Sequence, residues 1–414
     1  MRSRDLLGPR HRDFTLLWVG QSVSQFGSRM YGAASLLWVF TITHSAALTG
    51  ATTSATLIAY TATHLFGGAL ADFADRRTVM IWCDVASALV GTSLALAALT
   101  GWFCAPHVLA AAAVLGVSWA LHGTCESACV KQLVSADAFP RAITLNQVRS
   151  WTTGLLGPAA AGVLYGIVDF APFALDALSY VVALVCVLAV RTDLRPLAGS
   201  ARPRVTAAEL CCGVRAIARI PFLRSTTIQA AISAGVTTMI GLVVMDGLTR
   251  TDAPASVSGL VLTAASVGGC LGALAATLRT PRSPRLVMPL THATTALSAL
   301  ALAVAPSVVS VAMAYGAMFL LRPAWAGAVE ARWLTLAPNL LQGRIRAGTE
   351  LVLSLAMAAG SLATAGLLRL LGPHALYGAI AVAMVVLVVV ALRTPWATDS
   401  PKSRIDTGSV VHVR

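Results

Sequence analysis

The chain has 414 residues, is 57% hydrophobic and only 11% charged, and has a mean hydropathy of +0.76. A soluble globular chain carries roughly 25% charged residues, so this composition excludes water as the surrounding solvent and implies an integral membrane protein. The formal charge of +13 does not mark a nucleic-acid binder, because the basic residues form no stripe interleaved with aromatics.

A membrane-spanning helix takes about 20 mostly apolar residues. Twelve runs meet that length: 14–40, 48–71, 79–100, 107–130, 142–168, 172–190, 225–248, 255–278, 286–305, 307–330, 347–370 and 374–392. The first follows no short apolar core with a small-residue cleavage site, so it is expected to be a retained helix. The expected fold is all-α, with an N-terminal six-helix bundle (14–190) and a C-terminal one (225–392). A short N-terminus (1–13), a polar central loop (191–224) and a tail (393–414) flank them. With the N-terminus in the cytoplasm, twenty-five of the thirty Lys and Arg residues fall on the cytoplasmic side, as the positive-inside rule requires. Both termini are then cytoplasmic. GALA ends the second run at 68–71 and recurs at the end of the eighth at 272–275. That spacing reads as two parallel six-helix repeats, an architecture of secondary transporters.

Several runs carry polar side chains at helical spacing. The first has Gln21, Gln25, Ser28 and Arg29. The second has Thr52, Thr56, Tyr60 and His64. The fourth has Trp119, His122 and Glu126, where an acid one turn from a histidine is suited to carrying a proton. The fifth has Asn146, Arg149 and Thr153, then Gly157 and Pro158. The seventh has Gln229, Ser233 and Thr237. The tenth has Tyr315, Arg322 and Trp325, and the eleventh has Glu350, Ser354, Met357 and Ser361. Each stripe fits either a cavity wall or helix–helix hydrogen bonding. Arg322, beside Pro323, needs an acceptor: Glu330 or Glu350, or an acidic group on a substrate. Arg29 fits a cavity position or a structural arginine bound to backbone carbonyls. Asp84, Asp176 and Asp246 lie near run ends, where acids are cheap, and rank lower. The eight cysteines are scattered, with no CxxC pair, so no metal site or disulfide frame is expected.

At 67–77 the apolar chain is interrupted by GGALADFADRR. Here the sequence resembles the major facilitator superfamily, whose loop between the second and third helices has the pattern Gly-x-x-x-Asp-Arg/Lys-x-Gly-Arg/Lys-Arg/Lys. Gly68, Asp72, Arg76 and Arg77 match it; Phe73 and Asp75 depart from it. The Asp75 form is similar to the branch of macrolide-efflux and enterobactin-exporter proteins. RDFTLLWVGQSVSQFG (12–27) and APNLLQGRIRAG (337–348) resemble the same branch. GPAAAG (157–162), with Gly157, Pro158 and Gly162, resembles the antiporter motif of the fifth helix. The resemblance implies that Asp72 faces the N-terminal end of the eleventh helix, around Arg346 and Glu350. It also implies that Arg76 pairs with an acid low on the fourth helix, for which Glu126 is the candidate. Such a latch would hold the two halves together in the outward-open state. A simple positive-inside anchor is the competing reading. That branch often has an acid beside the position of Ser28, which this chain lacks.

The function expected is a proton-coupled exporter of small organic molecules (drugs, antibiotics or other natural products including siderophores) in a bacterial cytoplasmic membrane. Glu126, His122 and Glu350 are the proton-coupling candidates. Gln21, Gln25, Arg29, Tyr60, Trp119, Arg149, Gln229, Arg322 and Trp325 are the cavity candidates. An importer or uniporter on the same fold is the alternative. The chain has no HExxH, no GxSxG and no phosphate-binding GxxxxGK[ST] loop, so neither an enzyme nor an ATP-driven pump is expected. No cofactor or metal is expected. The expected partners are the lipid bilayer, a small organic substrate and protons, with no nucleic acid and a monomer as the default.

Overall fold

The computed structural model describes residues 11–135, 139–195, 214–250, 255–278, 284–305, 307–336 and 342–394. They form an all-helical bundle in the order α1 (His11–Thr43), α2 (Ala46–Phe73), α3 (Arg76–Thr100), α4 (Ala105–Leu133), α5 (Phe139–Ile167), α6 (Ala171–Ala189), α7 (Pro221–Arg250), α8 (Ala255–Leu278), α9 (Pro284–Ala303), α10 (Val308–Ala317), α11 (Arg322–Leu336) and α12 (Gln342–Leu392).

Local chemistry sets the breaks. Asp75 caps α3, its carboxylate accepting from the Arg77 amide, and Gly101 ends α3 in the left-handed conformation at φ 68°. Proline near the start of α4 and α6 removes an amide that would have no helical partner. Ser307 and Ser310 form a reciprocal cap on α10. After α10 the backbone tightens into three-residue turns, Phe319 N–H to Gly316 O and Arg322 N–H to Phe319 O, before Pro323 opens α11. Thus the single run expected at 307–330 is broken in the middle, and Arg322 sits at the break. Conversely α12 covers two expected runs. Gly372 (φ 73°) and Pro373 divide it into arms at 342–371 and 373–392.

Helices α1–α6 pack among themselves, chiefly α1 on α5 and α6, α2 on α4, and α3 on α4 and α6. Their core holds Met30, Trp38, Leu94, Leu115 and Phe173, with Trp38 edge-on to Phe173 at 5.4 Å. Helices α7–α12 pack around Ile240, Val243, Met318, Leu376 and Met384. Large apolar side chains such as Trp82, Leu89, Leu297 and Leu370 lie exposed on the outer faces, as they do where lipid is the solvent.

The two halves meet through α2 with the first arm of α12, and through α5 with α8. The half-chain repeat aligns α2 with α8 and α5 with that first arm, so it exchanges one interface for the other. At the first interface Ser54 Oγ lies 2.5 Å from Ser361 Oγ, and Gly50 abuts the Ser361 carbonyl. At the second, Gly162 abuts Gly259 and Ser266 donates to the Gly154 carbonyl. Leu37 of α1 joins the α7 residues Val236, Ile240 and Val243. All of these lie between mid-depth and the end of the bundle away from the 74–75 connection and the C-terminal cap of α4 at Val134. The halves are therefore closed against each other at that far end.

Among the described residues, eight helical stretches are long and apolar enough to cross a membrane, one of them being 348–392 with its kink. Helices α1, α2 and α5 are not among the eight. Their polar stripes are the reason: Gln21, Gln25 and Arg29 on α1, four Thr and Ser within 52–56 on α2, and Asn146 and Arg149 on α5.

Candidate functional site

The first half encloses a buried polar network. Helices α3 and α4 form an antiparallel pair about the turn at 101–104, so Asp84 and His122 stand at one depth. Asp84 Oδ1 lies 3.4 Å from His122 Nε2, with both side chains under 10% exposed. Gln21 Nε2 of α1 lies 3.0 Å from the same imidazole nitrogen. One turn along α4, Glu126 accepts from Arg149 of α5, with Nη1 at 2.7 Å from Oε1 and Nη2 at 3.4 Å from Oε2. Each of those side chains is 9% exposed. Three helix contacts thus bring a histidine, two carboxylates and an arginine together where ion hydration is poor, so each charge depends on its neighbour.

This arrangement changes the reading of three residues. Asp84, ranked low as an end-of-run acid, is 2% exposed and belongs to the network. Its signal was available: residues 84 and 122 lie almost equally far from the α3–α4 turn. The family resemblance implies Arg76 as the partner of Glu126, and the structure pairs Glu126 with Arg149. Asp176, also ranked low, is fully buried with neither carboxylate oxygen hydrogen-bonded. The depth of α6 behind α1 carries no pattern in the sequence.

The corner between α2 and α3 is a structural joint. Asp75 takes the Arg77 amide and the Thr78 hydroxyl, each at 3.1 Å. Arg77 Nη2 donates to the Leu188 carbonyl at 2.5 Å, neutralising the negative end of α6. Arg76 is 7% exposed and lies within electrostatic range of Cys125 and Cys129 on α4. Nearby, Asp13 ties the start of α1 to the end of α6, accepting from the Thr192 amide at 2.8 Å and its hydroxyl at 2.6 Å. Gly68 and Asp72 lie on α2, but their surroundings fall outside the described residues, as do Glu330 and Arg346. The expected approach of Asp72 to the α12 terminus is therefore not described.

In the second half, Arg322 Nη2 donates to the Ser233 carbonyl at 3.1 Å, to Ser233 Oγ at 2.9 Å and to Thr237 Oγ1. The guanidinium carbon stands 5.4 Å above the Phe319 ring. No carboxylate lies within ion-pair distance among the described side chains, which include Glu350 but not Glu330, and Nε has no acceptor among them. Trp325 is packed with Val287, Met288 and Val329 against His292. Gln229 is 1% exposed and bonds to Ser225 and Thr394. Both expected cavity residues are therefore interior packing.

Arg29 and Glu350 behave differently, as both stay exposed in the middle of long helices. Tyr60, stacked on His64 at 5.5 Å, lies within electrostatic range of both. Gln21, Gln25 and Trp119 are part-exposed on the same inner faces. Gly157 lets α5 approach α1, since a Cβ there would come within 3.1 Å of Met30 N, and Gly162 does the same for α8. Pro158 has no amide hydrogen and so frees the Gly154 carbonyl, the one that accepts from Ser266 across the α5–α8 interface.

Comparison with known proteins fits this geometry. A profile of the transmembrane secretion effector family matches residues 7–407. Macrolide efflux protein A of Streptococcus pyogenes is 26% identical over 182 residues, which cover 43% of this chain and 44% of that one. The match therefore spans under half the length of either protein. Among solved structures, a POT family transporter in complex with a thioalcohol-conjugated peptide superposes with a TM-score of 0.75 at 13% identity, covering 92% of this chain and 96% of that one. A D-xylose–proton symporter gives 0.70 at 15% identity, covering 92% and 97%. A human organic anion transporter gives 0.66 at 14% identity, covering 92% and 99%.

Proposed function

The chain belongs to the transmembrane secretion effector family of the major facilitator superfamily, and on that premise we propose that it is a proton-coupled exporter of small organic molecules. It is a multi-pass membrane transporter. The proposal adds direction, coupling and cargo: drugs, antibiotics or other natural products including siderophores, leaving across a bacterial cytoplasmic membrane. The partial likeness to macrolide efflux protein A supports macrolides as the first cargo to try. The proposed topology has twelve spans and both termini in the cytoplasm.

The observation that carries the coupling is the buried Asp84–His122 and Glu126–Arg149 pair of contacts. A proton arriving at Glu126 removes the charge that holds Arg149, and a proton at His122 strengthens its hold on Asp84. Either event redistributes charge between α3, α4 and α5, the helices that must shift when the halves rock. With the basic loops in the cytoplasm, the closed far end faces outward, and in this reading cargo enters from the cytoplasmic side. Exposed Arg29 and Glu350, with Tyr60 between them, are then the residues proposed to meet it. The energy comes from the proton gradient, since each charge crossing 100 mV supplies about 2.3 kcal/mol.

The test is accumulation of antibiotics, dyes and siderophores in a bacterial host stripped of its main efflux pumps. Expression should lower accumulation of at least one compound, and a protonophore should abolish the difference. Accumulation that rises with expression would mean import.

A further inference from the structure

Asp176 stands apart from the network above. It lies on α6, behind α1, with no solvent exposure and neither carboxylate oxygen hydrogen-bonded. Two glycines pack against this stretch of α6. A Cβ on Gly27 of α1 would stand 2.8 Å from Asp176 Oδ1, and Gly91 of α3 faces the next α6 residue, Ala177. Ser179 is adjacent, but its hydroxyl donates to the Asp176 backbone carbonyl at 2.7 Å and not to the carboxylate. The titratable groups facing the carboxyl are Tyr31 from α1 and Tyr180 from its own helix. On the α3 side Gly91 packs on Ala177, and no cation faces the carboxyl among the described residues.

An ionised carboxylate without water, hydrogen bond or counter-ion costs several kcal/mol. In this conformation the group is therefore the neutral acid. A permanently neutral side chain of that shape needs no ionisable group; an amide or hydroxyl would fill the space. An acid kept neutral by its surroundings is one whose proton can leave when those surroundings change. A hydrogen-bonded pair of hydroxyls lies nearby, unconnected to the carboxyl in this conformation. One turn on, the Tyr180 hydroxyl accepts from Trp119 Nε1 at 2.7 Å and lies 2.9 Å from Ser28 Oγ. Ser28 donates to the Ser24 carbonyl at 2.9 Å, which leaves Tyr180 as the donor to Ser28. Tyr180 thus joins α6 to α1 and α4, and a shift of α1 that releases Ser28 from the Ser24 carbonyl would let the Tyr180–Ser28 pair pass a proton toward the α1 face bearing Gln25 and Arg29.

We propose that Asp176 is an occluded proton-carrying site of the transport cycle. It holds its proton while the halves are closed at the far end, and exchanges it through Tyr180 and Ser28 when α1 moves against α6. This rests on the proton-coupled reading above and adds a site to it. The proton is the only species transferred: it leaves the Asp176 carboxyl, and the carboxylate takes one back from the opposite side after the halves reverse.

The protein reconstituted in liposomes tests this by infrared difference spectroscopy across a pH titration, beside Asp176→Asn. The expected result is a protonated-carboxyl band in the native protein that bleaches reversibly as pH rises and is missing from Asp176→Asn. A band that survives until the protein unfolds, or an identical spectrum from the variant, would overturn the assignment. Transport supplies a second readout with erythromycin as probe. Asp176→Asn should keep counterflow exchange but lose gradient-driven accumulation, by about 50-fold for each proton charge uncoupled at 100 mV. Full gradient-driven accumulation by the variant would also overturn it. If the native protein drives no erythromycin uphill while the band still titrates, the proposed function fails for that cargo and the protonation of Asp176 stands.

Discussion

Arg149 of α5 holds Glu126 of α4 through two contacts, 2.7 Å and 3.4 Å, inside the first half of the bundle. Glu126 answers within that half to a neighbouring helix, so its protonation acts first on how α4 and α5 pack. Removing one member of a buried ion pair strands the other, at a cost of about 3–5 kcal/mol. Arg149→Gln should therefore lower the thermal midpoint in detergent markedly. Glu126→Gln with Arg149→Gln should restore most of that stability and still fail to export. Equal export by the double variant would show that the pair is only structural.

The far-end closure gives a conformational prediction. Ser54 and Ser361 touch across the α2–α12 interface, close enough for a disulfide if both become cysteine. The pair Ser54→Cys and Ser361→Cys, oxidised, should trap the closed far end and stop transport, and reductant should restore it. Undiminished transport after verified crosslinking would mean that these helices do not separate during the cycle.

Arg322 is anchored by Ser233 and Thr237 on one side of its guanidinium, with Nε unmatched. A charged hydrogen bond to a cargo oxygen is worth about 1.5–3 kcal/mol. Arg322→Gln should then raise KM about 10- to 100-fold for cargo bearing a carboxylate, with little change for cationic cargo. Unchanged transport of every compound found would make Arg322 a helix-break support only.

Asp13 lies outside the expected spans and gives a pH prediction. Burial raises its pKa, but the Thr192 hydroxyl, the Thr192 and Arg191 amides and the Arg12 charge together hold it below the ordinary 3.8. A group lowered on folding stabilises the protein above its unfolded pKa, and that stability fades as pH falls through the folded value. Native stability should decline below about pH 4 more steeply than that of Asp13→Asn. Parallel pH–stability curves would contradict the clamp.

The helical class and most helix positions were legible because apolar run length is a strong signal. The break at Arg322 and the fusion across Gly372 were not, since membrane helices tolerate proline and glycine and neither residue declares whether it kinks, breaks or passes. At the site, the α4 stripe of Trp119, His122 and Glu126 was visible from spacing alone. Its partners Asp84 and Arg149 come from other helices, where only tertiary packing decides depth. Gln229 and Trp325 show the converse: a polar stripe marks a face, and the neighbour on that face is as easily a packed helix as a cavity.

The measurement closest to the central claim follows protons and cargo together. Liposomes containing the protein and a trapped pH indicator receive an outward gradient of the compound whose cellular accumulation falls most, with no imposed pH gradient. Antiport predicts that cargo leaving drives protons inward, and that Glu126→Gln abolishes the acidification. Cargo that moves while the internal pH stays constant, or that carries protons in its own direction, would contradict a proton-coupled exporter.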